Sequence, residues 1–325
     1  MRKPHPSRKT FGDIFALTFE VYFKDFWRNL GYGMLISCVV VLFSLPYIAV
    51  FASSVNIAGY PFMIETKGTL FAFKVSFLLF LAAAGFFAPS FLTSYLGPKT
   101  LEHIEQKKRD KKAYLQLTWK VFGRTSSAQA AFSLVILILL EAANAVINRQ
   151  LADTDMMSMV SGNEDALIVF LSVSFLFTVA WMIVRLFSIF AKQIALFEHR
   201  TWFGAVLKSA GTIASGNFWA TIGYYILFGL IIGFCTLVIV LILSAVLLFL
   251  AAMVLGVGAL AGIVEALSDP VMFAFAAIVL VLVFVVLVLG RGLHSVFTTL
   301  VYFNARTQSE NIPFPEPEMA NEEKL

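Results

Sequence analysis

Residues 271–290 read VMFAFAAIVLVLVFVVLVLG, twenty consecutive positions without a charged or hydrogen-bonding side chain. A run of about 20 apolar residues crosses a hydrocarbon layer of about 30 Å as one helix. Lipid offers the backbone no partners, so a spanning segment must satisfy its own N–H and C=O groups, as a helix does. A second long run covers Met34–Ala52, and a shorter one covers Phe77–Ala88. Barrel strands would instead alternate over about ten residues, and the longest runs are too uniform for that. The whole chain agrees: of 325 residues, 59% are hydrophobic and 14% charged, where soluble domains carry about a quarter charged. The expected fold is all-α, a polytopic transmembrane helix bundle.

Working outward from that run, six spans are expected: Leu30–Val55, Thr69–Leu96, Ser127–Ile147, Ala166–Phe190, Phe218–Ala245 and Pro270–Tyr302. The connecting segments give them a direction. Segments Met1–Asn29, Gly97–Ser126, Lys192–Gly216 and Asn304–Leu325 hold 19 lysines and arginines, and the three alternate segments hold two. The positive-inside rule places both termini in the cytoplasm. The expected location is the inner (plasma) membrane of a bacterial envelope, multi-pass. The N-terminal basic residues precede an apolar run about twice the length of a signal h-region, which reads as an uncleaved first span. Phe218–Leu267 is nearly continuous and apolar, so residues 246–267 form either a re-entrant or interfacial segment or a seventh span; six spans are the favoured count.

The stretch Phe11–Trp27, FGDIFALTFEVYFKDFW, carries Phe11, Ile14, Phe15, Phe19, Tyr22, Phe23 and Phe26 at helical spacing. It predicts an amphipathic helix, lying in the membrane interface or packed on the cytoplasmic ends of the bundle. At an offset of 192 residues the pattern returns: Phe11-Gly12 meets Phe203-Gly204, Phe26-Trp27 meets Phe218-Trp219, and Gly31-Tyr32 meets Gly223-Tyr224. Ala113–Phe132 reads as a degenerate middle copy. A single transmembrane domain, 1–306, thus divides into three candidate parallel repeats, 11–97, 111–197 and 202–306. Residues 307–325, rich in Glu and Pro, read as a disordered cytoplasmic tail.

No nucleophile elbow, phosphate loop, HExxH or paired-carboxylate motif is present. Cys38 and Cys235 sit singly in apolar runs and imply neither a disulfide nor a metal site. No catalytic residue, metal or cofactor is expected, and no nucleic-acid partner is expected, because one short basic cluster beside a membrane is weak evidence for one. Charges in the spans are the stronger signal, because they are costly there and pair or line polar cavities. Glu141, Arg185 and Arg291 are the candidates, with Lys74 and His294 nearby, and depth favours Glu141 with Arg291. The alternative is that the arginines snorkel to headgroups. Lys107, Lys108, Arg109, Lys111 and Lys112 form a basic cluster suited to anionic lipids; alternatively they are only an orientation signal.

The stretch Glu198-His-Arg-Thr-Trp-Phe-Gly-Ala-Val-Leu-Lys208-Ser209, followed by Ser215-Gly216-Asn217-Phe218-Trp219, resembles a pattern of the glycerophosphoryl diester phosphodiesterase membrane-domain family and related bacterial and archaeal membrane proteins. The ending Phe297–Glu310, with Thr299, Tyr302, Arg306 and Glu310, is similar to that family's ending, and Phe11–Ile14 and Phe26-Trp27 match its opening. Asn304 stands where an acid is common, and Gln308 where a base is common. The resemblance implies a membrane module of about six spans. It does not imply phosphodiesterase activity, which belongs to a separate soluble barrel in fused members. Two functions are expected in order: a non-enzymatic module engaging membrane lipids or a protein partner, and a transporter or lipid-translocating protein using Glu141, Arg185 and Arg291.

Overall fold

A computed structural model of the chain describes residues 9–54, 87–105, 111–150, 164–215, 218–255, 270–310, 312 and 314–315. It is an all-α bundle, with no strand among the described residues. The elements are α1 (Phe11–Lys24), α2 (Phe26–Ser54), α3 (Ala88–Ile104), α4 (Lys111–Gln150), α5 (Glu164–Phe187), α6 (Ala191–Phe197), α7 (Trp202–Ala214), α8 (Phe218–Leu255) and α9 (Pro270–Ser309). Five stretches are long and apolar enough to cross a membrane: Phe26–Pro46, Gln116–Ala143, Leu171–Phe197, Phe218–Val246 and Val281–Thr307. These correspond to five of the six expected spans. Most of the remaining one, residues 69–86, lies outside the described residues, as do 256–267 from the segment that separates six spans from seven. Residues 246–255 extend α8 as a helix.

The amphipathic stretch forms α1 as expected. Thr10 and Asp13 close a capping box at its start: Asp13 N–H donates to Thr10 Oγ1 at 3.2 Å, and Thr10 N–H donates to Asp13 Oδ2 at 2.9 Å. The helix breaks at Asp25, and α2 begins one residue later. Ile14, Thr18, Val21 and Tyr22 are buried where α1 packs on α9, α2 and α3. The face is therefore taken up by the bundle itself, while Phe23 remains half exposed.

The second copy of this arrangement has the same local form. α7 precedes α8 as α1 precedes α2. Phe26 and Trp27 rings lie 5.0 Å apart, edge to face, and so do Phe218 and Trp219. Trp27 is 80% exposed and Trp219 79%, so the two tryptophans occupy equivalent surroundings. The middle stretch differs. Ala113–Phe132 is not a separate helix before a span; it belongs to one continuous 40-residue helix, α4. No proline stands between its amphipathic and apolar parts, and the single Gly123 costs only about 1 kcal/mol, so the helix propagates through both.

The buried core gathers at one end of the bundle. It comprises α1, α3, α6, α7, Ile36 and Val40 of α2, Ala128 of α4, Phe228 of α8 and residues 293–305 of α9. α9 is its centre and packs on α8, α3, α1, α2 and α7. Gly292 allows the closest of these approaches, since a Cβ there would meet the Tyr22 ring. Beyond this end the apolar shafts of α5 and α8 project with side chains such as Phe175 and Phe234 about two-thirds exposed. Those surfaces are suited to lipid, not water. The tail boundary also shifts: α9 stays helical through Ser309, and Phe314 is buried against Phe303.

Candidate functional site

The two separated motif stretches meet at the packed end. α6 and α7 are joined by a tight reversal in which His199 (φ 60°) and Trp202 (φ 50°) take left-handed backbone conformations. L-residues avoid that region because Cβ crowds the carbonyl. Arg124 donates to His199 Nδ1 at 2.6 Å, and Ser209 Oγ accepts the Phe190 N–H at 3.1 Å, fixing the reversal on both sides. Glu198 then faces the end of α9. Tyr302 donates its hydroxyl proton to Glu198 Oε1 at 2.8 Å, and Arg306 Nε lies 3.6 Å from the same oxygen. Arg306 also donates to Glu310 Oε2 at 3.0 Å, and Lys208 on α7 pairs with Glu310 Oε1. Burial raises the Glu310 carboxyl pKa, but the hydrogen bonds from Lys208 and Arg306 outweigh it and hold it below the usual range. Glu198, Lys208, Ser209, Tyr302, Arg306 and Glu310, quoted separately from the sequence, therefore stand together. Their charges are mutually satisfied, as a structural network requires. Beside them is a cavity of about 240 Å³ lined by Leu101, Phe197, Phe303, Arg306, Ile312 and Pro315. It is smaller than a typical ligand pocket.

Asn304, where the resembled pattern carries an acid, has a use for its amide. Its side-chain oxygen accepts the Lys9 N–H at 3.0 Å, and its amide donates to the Lys9 carbonyl at 3.3 Å. A carboxylate could accept the first bond but could not donate the second. Tyr224 adds a bond to the same carbonyl at 3.3 Å, tying the residues before α1 to α8 and α9.

A second polar cluster sits at the α1–α2 break. Lys99 on α3 donates to Asp25 Oδ2 and to Asn29 Oδ1, both at 2.7 Å, and Arg28 reaches Asp25 at 2.9 Å. Burial pushes Lys99 down to about 8 despite its partner. The Lys99 hydrogen bond holds Asp25 below the carboxylate range. Sequence reasoning missed this pair and counted Lys99 only as a loop charge. Its signal was the helical setting TSYLGPKTLEHI, apolar on both sides.

The end of each closing helix is also tied to the helix that opens its unit. His103 on α3 bridges Glu20 (3.1 Å) and Lys24 (3.2 Å) on α1. His199, just beyond α6, meets Arg124 on α4, and Glu310, just beyond α9, meets Lys208 on α7.

The expected intramembrane charges stand apart from one another. Glu141, Arg185 and Arg291 are all exposed, and no ion pair joins Glu141 to either arginine among the described residues. Their helices α4 and α9 share no extended contact. Arg185 lies 5.0 Å over the Trp181 ring. Lys107, Lys108 and Arg109 lie outside the described residues, and Lys111 and Lys112 open α4. Among the described residues no three His, Cys, Asp or Glu side chains are grouped to hold a metal.

Three of the five tryptophans open helices. Trp27, Trp202 and Trp219 open α2, α7 and α8; Trp119 rests on Phe91 at the packed end; Trp181 lies two turns from the end of α5. Trp27, Trp119, Trp202 and Trp219 are each more than half exposed. No protein-family model, curated protein or solved structure matches the chain.

Proposed function

We propose that this protein is a non-enzymatic membrane module whose packed end sits at the cytoplasmic face of the membrane and engages anionic lipid headgroups there. The observation that carries the reading is the tryptophan belt, which lies at the junction between a hydrogen-bonded end and bare apolar shafts. Tryptophan concentrates at headgroup level, where an apolar ring and a polar N–H are both satisfied. The 19-to-two charge asymmetry supports the cytoplasmic side. The basic cluster at 107–112 supplies attraction to anionic lipid. The resemblance to the phosphodiesterase family's membrane domain supports a module without its own chemistry. A transporter reading gains nothing from Glu141, Arg185 and Arg291, none of which lines the cavity beside Arg306.

The test is extraction in mild detergent followed by mass spectrometry of the retained lipids. The reading expects anionic phospholipid enriched over its share of the source membrane, and less enrichment when residues 107–112 are made neutral. Retained lipid in bulk proportions would overturn it.

A further inference from the structure

Lys192 stands on α6 between two buried residues, Ala191 and Gln193, and is itself half-buried. Among the described residues the only charge acting on it is another cation, Arg185. Both cations act in turn on His294 of α9, and Arg185 acts on Tyr225 of α8. Three basic groups from three helices thus act on one another, and among the described residues no carboxylate acts on Lys192 or His294. The Tyr225 hydroxyl is buried, and the nearest polar side chain acting on it is Thr298. Thr298 donates to the His294 carbonyl at 2.8 Å, which links the turn carrying His294 to Tyr225. His294 packs against the rings of Tyr225 (5.7 Å) and Phe228 (6.1 Å), yet its surface is exposed.

Among the described residues, the helix arrangement leaves this place as a recess. α5 packs on α4 and α7, α8 packs on α9 and α7, and no extended contact joins α5 to α8 or α9. The rings of Phe187 and Phe218 stack 6.1 Å apart at the base of the gap. Above it, Phe175 on α5 and Phe234 on α8 present exposed apolar surface. Arg185 rests on the Trp181 ring, two turns from the end of α5.

Like charges gathered in low dielectric repel, and each is costly without a counter-charge. An anion between them reverses the sign of every one of these interactions, and the Tyr225 hydroxyl and the lysine ammonium offer donors to it. We infer that the recess between α5 and α8–α9 binds the phosphate of an anionic phospholipid, held by Arg185, Lys192 and His294, with its acyl chains lying along the two apolar shafts. The inference rests on the lipid-engaging reading above and names the site and the chemical class. The apolar walls favour a lipid over free phosphate, because a soluble ion would use only the floor of the gap.

The experiment follows thermal unfolding of the full chain in zwitterionic detergent during titration with phosphatidylglycerol, phosphatidylcholine or inorganic phosphate. Phosphatidylglycerol is expected to raise Tm saturably. Lys192→Met and Arg185→Gln are each expected to raise its half-saturating concentration about fivefold, and Lys192→Arg is expected to restore it. Arg185 is exposed, so Arg185→Gln carries the test even if Lys192→Met fails to fold. A phosphatidylglycerol response equal in wild type and both variants overturns this site while leaving the lipid reading standing. No response from any protein overturns the lipid reading itself. An equal response to inorganic phosphate overturns the lipid as the source of the anion, and an equal response to phosphatidylcholine overturns the role of charge.

Discussion

Phe297 and Phe234 are the same side chain on neighbouring helices in opposite surroundings. Phe297, at the packed end of α9, has no exposed surface and stacks on Phe228 with ring centroids 4.0 Å apart. Phe234, two turns along α8 from Phe228, is 67% exposed. The same contrast separates whole windows: 39% of residues are buried in the most apolar part of Val281–Thr307, and 6% in that of Phe218–Val246. Hydropathy cannot account for the difference, because the less buried window is the more apolar. The difference is one of solvent. Lipid tails resemble the side chains they touch, so a shaft in lipid gains little by packing. At the membrane surface, water competes for every polar group, and helices must bury and pair what they carry there.

The largest effect should come from testing that contrast directly. Phe297→Ala should cost about 3–5 kcal/mol, whereas Phe234→Ala should stay within about 0.5 kcal/mol, both read from thermal or denaturant unfolding in detergent. Equal losses would mean that the shafts pack as tightly as the end.

The next effect concerns charge at the packed end. Asp25→Ala leaves Lys99, only 8% exposed, without its carboxylate. Because Asp25 itself is partly exposed, the loss should be about 2–3 kcal/mol, below that of a fully buried pair. Its pH dependence has a definite sign. Lys99 is held near 8 in the folded chain against an ordinary 10.5. Between those values the unfolded chain binds more protons, so stability rises with pH. Without Asp25 the lysine titrates lower still, and the deficit of the variant should shrink as pH rises towards and past 8. In the wild type the Asp25 contribution, present above the ordinary carboxylate range, should fade as acid protonates its depressed carboxyl. A deficit that does not change with pH would separate the pair from this account.

Smaller effects test the ends of the packed region. Asn304→Asp should cost about 1–2 kcal/mol, because it removes the donor to the Lys9 carbonyl and sets two oxygens against each other. Asn304→Gln should not mimic it in pH dependence. Thr10→Ala removes the α1 cap and should cost about 1 kcal/mol. It should be visible as earlier hydrogen exchange in the first turn of α1, with exchange in α8 unchanged.

Much of the fold was legible because its signals are local. The apolar runs, α1 with its period, and the Phe-Trp pairs that open α2 and α8 are all written in short stretches. Relations between stretches were not. Asp25 and Lys99 are 74 positions apart, and nothing near either announces the other. Lys192 counted only as one more basic loop residue; its apolar flanks, Ile189-Phe190-Ala191 and Ile194-Ala195-Leu196, were the available sign that it belongs to a buried helix. Glu198, Tyr302, Arg306 and Glu310 were found through a resemblance, which marked them without saying that they touch. Glu141 and Arg291 failed in the opposite way. Depth along the chain favoured pairing them, but depth does not say which helices are neighbours, and α4 and α9 share no extended contact.

The central claim is that the shafts lie in lipid while the packed end stands in water at one face. Single spin labels at residues 175 and 234, and at Glu20 and Lys208, in a background with Cys38 and Cys235 replaced, would measure it in liposomes. Power saturation would compare access to oxygen with access to a water-soluble nickel chelate. The account predicts that oxygen reaches 175 and 234 while nickel does not, and that nickel reaches 20 and 208. Nickel access at 175 and 234 equal to that at 20 and 208 would contradict it.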